Sequence, residues 1–192
     1  GFCLVGSEMC IRDRQKTIGS DGADVIEKVI EVEDGYVLCG WSSSQDPSFI
    51  DSKGLEDGFV AKVDKNGDLV WISSFGGSSM DKLFDLEVLA NGDIVTVGYV
   101  LSDDIELDNA QHKGMLDVWV IKLASTGQLL WQKSYGGSDD DFAYNLTKTD
   151  DDKLLIAGSS DSMDGQVGNN RGEWDCFLMQ IDAEGNLSLI HI

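Results

Sequence analysis

The chain has 192 residues, 42% of them hydrophobic, and carries 14 Lys and Arg against 35 Asp and Glu for a formal charge of -21. That apolar content is enough for a substantial core, while the charge repels phosphate backbones and anionic headgroups, so nucleic acid is excluded as a partner. No run of 18 apolar residues occurs, so no membrane insertion by a spanning helix is expected.

The two ends read differently from the rest. Gly1 to Arg14 (GFCLVGSEMCIRDR) and Leu187 to Ile192 (LSLIHI) resemble peptides translated from sequencing-adapter DNA, and both are expected to be non-native. The apolar start lacks the basic leader and length of a secretion signal. Setting the first segment aside removes Cys3 and Cys10 and leaves Cys39 and Cys176, too few for a disulfide framework. Both lie in apolar strand-like runs, which is the setting of a small buried hydrophobe.

From Gln15 the sequence QKTIGSDGAD matches the later QKSYGGSDDD, so the chain is expected to enter in the last strand of a repeat. VIEKVIEVE and YVLCGW then flank Asp34-Gly35, and KLFDLEVLA and DIVTVGY flank Asn91-Gly92. Asn-Gly and Asp-Gly supply the positive φ of a tight reversal, and the flanks are β-branched and aromatic, so both are hairpins. NLTKTDDDKLLIAG has the same layout with a more charged turn.

Each hairpin runs into a polar loop with a fixed grammar. Gly40, Ser44 and Asp46 recur as Gly98, Ser102 and Asp104 and as Gly158, Ser162 and Asp164; each loop ends in Gly-x-x-Asp at 54/57, 114/117 and 172/175. Such recurrence marks fixed backbone geometry closed by Asp and Ser side chains. A third strand follows, with Phe59, Ala61 and Val63 on one face, repeated as Trp119, Ile121 and Leu123 and as Phe177, Met179 and Ile181. Turns at Gly67, Gly127 and Gly185 lead to a fourth strand carrying Trp71 or Trp131 and ending at Gly76-Gly77 or Gly136-Gly137.

The repeat lag is 60 residues from Asp57 to Asp117 and 58 from Asp117 to Asp175. A fixed period of this size signals a repeat architecture. Four antiparallel strands per repeat is the content of a propeller blade; a β-solenoid, the alternative, has shorter and parallel rungs. The expected fold is therefore all-β, a partial β-propeller of three blades: residues 15–75, 76–135 and an incomplete 136–186. An open arc of this kind is expected to leave two outer faces without partners, one on the first blade and one on the blade begun near Phe142.

The pattern formed by Asp117, Trp119, Lys122, Leu123, Gly127, Trp131, Gly136, Gly137 and Asp141 resembles the β-propeller repeats of secreted and cell-surface bacterial and archaeal proteins, over Gln15 to Asn186. Gln180 and Ser20 depart from it, replacing a lysine and a glycine. The resemblance implies an extracellular location, membership in a larger protein that supplies the missing blades, and no established activity. Separately, Ala61, Asp64, Gly67 and Trp71 are similar to the tryptophan-docking motif of quinoprotein propellers, in which a Trp of one blade stacks on a peptide of the next.

Catalytic groups are poorly represented. His112, in the loop AQHKG, reads as a solvated side chain, and no nucleophile elbow, zinc spacing or phosphate loop occurs. The recurring Asp residues argue against a carboxylate pair confined to one site. Calcium is the best chemical alternative, through Asp46, Asp104 and Asp164 or through Asp64-Lys65-Asn66-Gly67-Asp68, but turn closure by Asp accounts for the same residues. No catalytic, cofactor or metal residue is therefore assigned. The expected function is a non-catalytic binding or structural module with a protein or carbohydrate ligand. The alternatives are an enzyme with its site on the axial face, or a quinoprotein-like or scaffold propeller. A polar residue found in one blade only and facing the axis would favour the enzyme.

Overall fold

The computed structural model describes residues 15–108, 114–151, 153–167 and 170–191. Gly1 to Arg14, with Cys3 and Cys10, and His112 lie outside the described residues. Twelve strands form three four-stranded antiparallel sheets, each in sequential order, and the described residues contain no helix. The first blade comprises β1 (Asp24–Val32), β2 (Gly35–Ser42), β3 (Asp57–Asp64) and β4 (Leu69–Phe75). The second comprises β5 (Lys82–Val88), β6 (Ile94–Val100), β7 (Asp117–Leu123) and β8 (Leu129–Tyr135). The third comprises β9 (Asp141–Lys148), β10 (Leu154–Ser160), β11 (Asp175–Ile181) and β12 (Leu187–His191), with Leu187 in the place of Leu69 and Leu129.

The first strand of each blade packs on the first strand of the next, β1 on β5 and β5 on β9, so these strands form the inner edge of the arc and the fourth strands its outer edge. The alternation of the third strands sorts their side chains between two interfaces. Trp119, Ile121 and Leu123 join Leu83, Leu86 and Ile94 against Val37, Cys39 and Val60 of the first blade. Val118 and Val120 turn the other way and, with Val95 and Val97, meet Ala143, Leu146, Phe177, Met179 and Ile181 of the third. These side chains are almost fully buried, at about 1.5–3 kcal/mol each.

The tryptophans complete the seams. A Cβ at Gly127, whose φ is +84°, would lie 2.7 Å from the Trp71 ring, and one at Gly185, with φ +74°, would lie 3.0 Å from Trp131. Only glycine accepts both the backbone conformation and the ring, and each Trp is thereby seated on the turn of the next blade.

The ends of the arc differ from expectation in one respect. The far face of the first blade (Leu38, Phe59, Ala61, Val63) is packed beneath Ile18, Phe49, Ile50 and Ile72. Loop residues enter each blade interface in this way, as Ile105 and Leu107 do in the second blade and Val167 in the third. Ile18 takes the place that Phe75 and Tyr135 hold at the other seams, although Gln15 to Ser20 forms no strand. What stays open on this face is the inner strand, with Ile26 47% and Val29 55% exposed.

Candidate functional site

The acidic residues that recur between repeats are used at the blade corners. Asp81 accepts from the amides of Gly77 (2.9 Å), Leu101 (2.8 Å) and Ser102 (3.1 Å) and from the Ser102 hydroxyl (2.5 Å). Asp141 repeats this with the Gly137 amide (2.7 Å) and Ser162 (2.9 Å); Asp24 accepts the equivalent amide, of Ser20 (2.8 Å), but takes its hydroxyl from Ser42 at the end of β2 (2.5 Å) rather than from Ser44. Asp57 and Asp175 each accept a loop amide at 2.6 Å, from Lys53 and Arg171. Burial raises the Asp57 and Asp141 carboxyls above their usual range, with the neighbouring Asp81 and Asp140 charges adding to it.

The residues considered for calcium are engaged in turns and corners. Asp104 and Asp164 accept the amides of Ser78 (2.8 Å) and Ser138 (2.7 Å), so the Gly-Gly-Ser corner docks on the Ser-x-Asp loop of its own blade. Asp46 instead closes its own loop on Ser48 (2.9 Å), and Asp21 takes the corner role by accepting from Ser44 (2.8 Å) and the Gln45 amide (3.2 Å). Asp64 closes its turn on the amides of Asn66 (2.8 Å) and Asp68 (2.9 Å), and Asp182 does the same with Glu184 and Asn186. The Asp68 amide foremost holds Asp64 below the usual carboxylate range, as the Ser78 amide does Asp104. Among the described residues no group of three or more His, Cys, Asp or Glu is placed to hold a metal ion. Burial pushes the Cys39 thiol up to about 12, which leaves it a packing group.

The inner strands behave in the opposite way. Each contains a bulge at the same place, between Ile26 and Lys28, between Leu83 and Asp85, and between Ala143 and Asn145. The inserted residues are Glu27, Phe84 and Tyr144, followed by Lys28, Asp85 and Asn145, so equivalent positions carry different chemistry in every blade. A bulge turns side chains off the regular alternation, and here it gathers rings along the inner rim. Phe84 lies 5.7 Å from Tyr99 and 6.0 Å from Tyr144, and Tyr99 meets Phe142 edge-on at 5.3 Å. Phe142 stacks on Tyr144 at 6.0 Å and touches Trp174 at 5.5 Å. Tyr144 and Trp174 are 47% and 49% exposed. In the first blade Trp41 holds the place of Tyr99; its ring is covered by Lys82 Nζ at 3.5 Å and its Nε1 donates to Glu27 at 3.0 Å.

Beneath the rim one carboxylate ties all three blades. Asp85 is 4% exposed; its Oδ1 accepts Lys28 Nζ of the first blade at 2.7 Å and the Leu86 amide at 2.9 Å, and its Oδ2 accepts the Leu146 amide of the third at 2.9 Å. The bond to Asp85 foremost holds the Lys28 ammonium above its usual range. No protein-family model matches the chain, and no curated protein matches it.

Sequence reasoning placed the corner residues and missed the rim. The signal was available as a negative: Glu27, Phe84 and Tyr144, and Lys28, Asp85 and Asn145, are in register with one another but do not recur. No helix among the described residues is long and apolar enough to cross a membrane.

Proposed function

We propose that this chain is a non-catalytic binding module of a secreted or surface propeller, and that its ligand face is the aromatic rim of the inner strands. The observation that carries the reading is the run of five mutually touching rings ending in half-exposed Tyr144 and Trp174. Half-exposed rings with hydroxyls beside them, as Ser159 lies 3.3 Å from the Tyr144 hydroxyl, suit the apolar faces and hydroxyls of a sugar, and the charge of -21 favours a neutral one. The extracellular location rests on the repeat resemblance alone. Titration with a panel of neutral hexose oligosaccharides, followed by tryptophan fluorescence, tests the reading. A saturable change lost in Tyr144→Ala and Trp174→Ala supports it, and a flat response across the panel contradicts it.

A second reading, an active site on the same rim, is favoured by Lys28 and Asp85, polar residues present in one blade each. Both Asp85 oxygens are already engaged, which suits a clamp better than a general base. Shortened products from the same oligosaccharides, lost in Asp85→Asn, would favour the enzyme.

A further inference from the structure

The two interfaces inside the chain are copies of one another, and the two end faces are the separate halves of a third. On the first blade, Ile26 and Val29 are 47% and 55% exposed; their counterparts Leu83, Leu86 and Ala143 are fully buried and Leu146 nearly so. On the third blade, Leu178 is 44% exposed where Val60 and Val120 are fully buried, and Cys176 is exposed where Val118 is fully buried. We infer that two copies of this chain associate head to tail, the open face of β9 to β11 in each docking on the β1 face of the other, to close a six-bladed ring.

Three observations identify a second copy as the occupant. The contact rule already operates inside the chain: a Cβ on Gly58 would lie 2.7 Å from the Leu83 side chain, and Val118 shares a core with Ala143, so Cys176 is matched to Ile26. The charges at the seam also match. Lys62 shares a crevice with Ser125, and Lys122 donates to the Ala183 carbonyl at 3.2 Å. The same rule pairs position 180 with Lys65, and position 180 is Gln where the other blades have Lys, which removes a lysine-lysine contact that only the closing seam would contain. Finally, the loop and outer-strand places on the first blade are already filled as they are inside the chain, by Phe49 and Ile50 and by Lys16 and Ile18.

Because Lys16 and Ile18 hold that outer place, β9 to β11 are the strands that dock. Gln15 to Ile18 then takes the edge of β11 in the other copy and displaces β12, which pairs with β11 in the single copy and is at five residues the shortest strand. Two three-bladed copies make six blades, within the roughly 4 to 8 of closed propellers. The contact is heterologous and closes after two steps. Mutual repulsion of the copies is screened by salt.

The test uses the full chain in a Cys3→Ser, Cys10→Ser background. Mild oxidation of Ile26→Cys is expected to give a covalent dimer in which position 26 is joined to Cys176, and none when Cys176→Ser is added. The unoxidised chain is expected to sediment as a dimer at high salt. Ile26→Glu with Val29→Glu is expected to give a monomer with an unchanged unfolding transition, since both residues are exposed in the single copy. A monomer at high salt and high micromolar concentration, a cross-link that does not involve Cys176, or a ladder of longer polymers would each overturn the ring.

Discussion

The blade corners and the inner rim are built on the same repeat and follow opposite rules. At the corners, Asp24, Asp81 and Asp141 keep one residue type and accept the same Gly-Gly-type amide and a serine hydroxyl, from the loop at Ser102 and Ser162 and from the end of β2 at Ser42. At the rim, equivalent positions hold Glu27, Phe84 and Tyr144, and Lys28, Asp85 and Asn145. Where every blade faces the same packing demand, the same residue recurs; where a blade faces the open inner edge, nothing in the fold requires recurrence. Repetition within the chain therefore marks what the fold needs, and its failure at the rim is what the proposed ligand face rests on.

The comparison is broken most directly at a corner. Asp81→Ala leaves three amides and a serine without their acceptor and is expected to destabilise by about 4 kcal/mol, read by denaturant unfolding; a loss below about 1 kcal/mol would remove the corner from the account. Trp71→Ala empties the seat on Gly127 and is expected to lose about 2–3 kcal/mol, less than a full core truncation because Trp71 is only half-buried. Asp85→Ala, at the boundary between the two regions, is expected to lose about 2 kcal/mol by freeing Lys28 and the Leu146 amide. A loss as large as that of Asp81→Ala would place it with the corners.

The pH dependence separates two sets of carboxylates. Asp57 and Asp141 have folded pKa values raised by burial, so their ionised forms oppose folding, and stability is gained as pH falls through those values. Asp64 and Asp104 are lowered by turn and corner amides, so their contribution is present above the unfolded value of about 4 and is lost as pH falls below it. The midpoint of thermal unfolding is expected to rise modestly as pH falls toward the unfolded carboxylate value of about 4 and to fall below it. A monotonic fall over the whole range would contradict the assignment of Asp57 and Asp141.

The hairpins around Asp34-Gly35 and Asn91-Gly92, the alternation at Phe59, Ala61 and Val63, and the four-strand blade were legible because each rests on local chemistry, a turn, a two-residue period and a recurring cap; Gly92 turns the chain at φ +86°, whereas Gly35 opens β2 opposite Val32 and Glu33-Asp34 make the reversal. The rim was not, for two reasons. Each inner-strand bulge shifts the alternation by one residue, so a strict period misassigns the faces beyond Glu27, Phe84 and Tyr144. The rings themselves come from three strands and a loop, at positions 84, 99, 142, 144 and 174, and meet only when blades pack. The cover on the first blade escaped notice because Phe49 and Ile50 sit in the loop whose length varies most between repeats.

The smallest expected effect on stability is at the rim, and it carries the decisive test. Tyr144→Ala with Trp174→Ala removes two half-exposed rings and their contacts with Phe84 and Phe142, and the unfolding free energy is expected to fall by about 1 kcal/mol. On the same sample, isothermal titration calorimetry with neutral hexose oligosaccharides, a readout that does not depend on Trp174, is expected to lose the saturable binding of the parent. A variant that folds as the parent does and still binds the oligosaccharides with parental affinity would contradict the claim that the non-recurring rim, rather than the recurring corners, carries recognition.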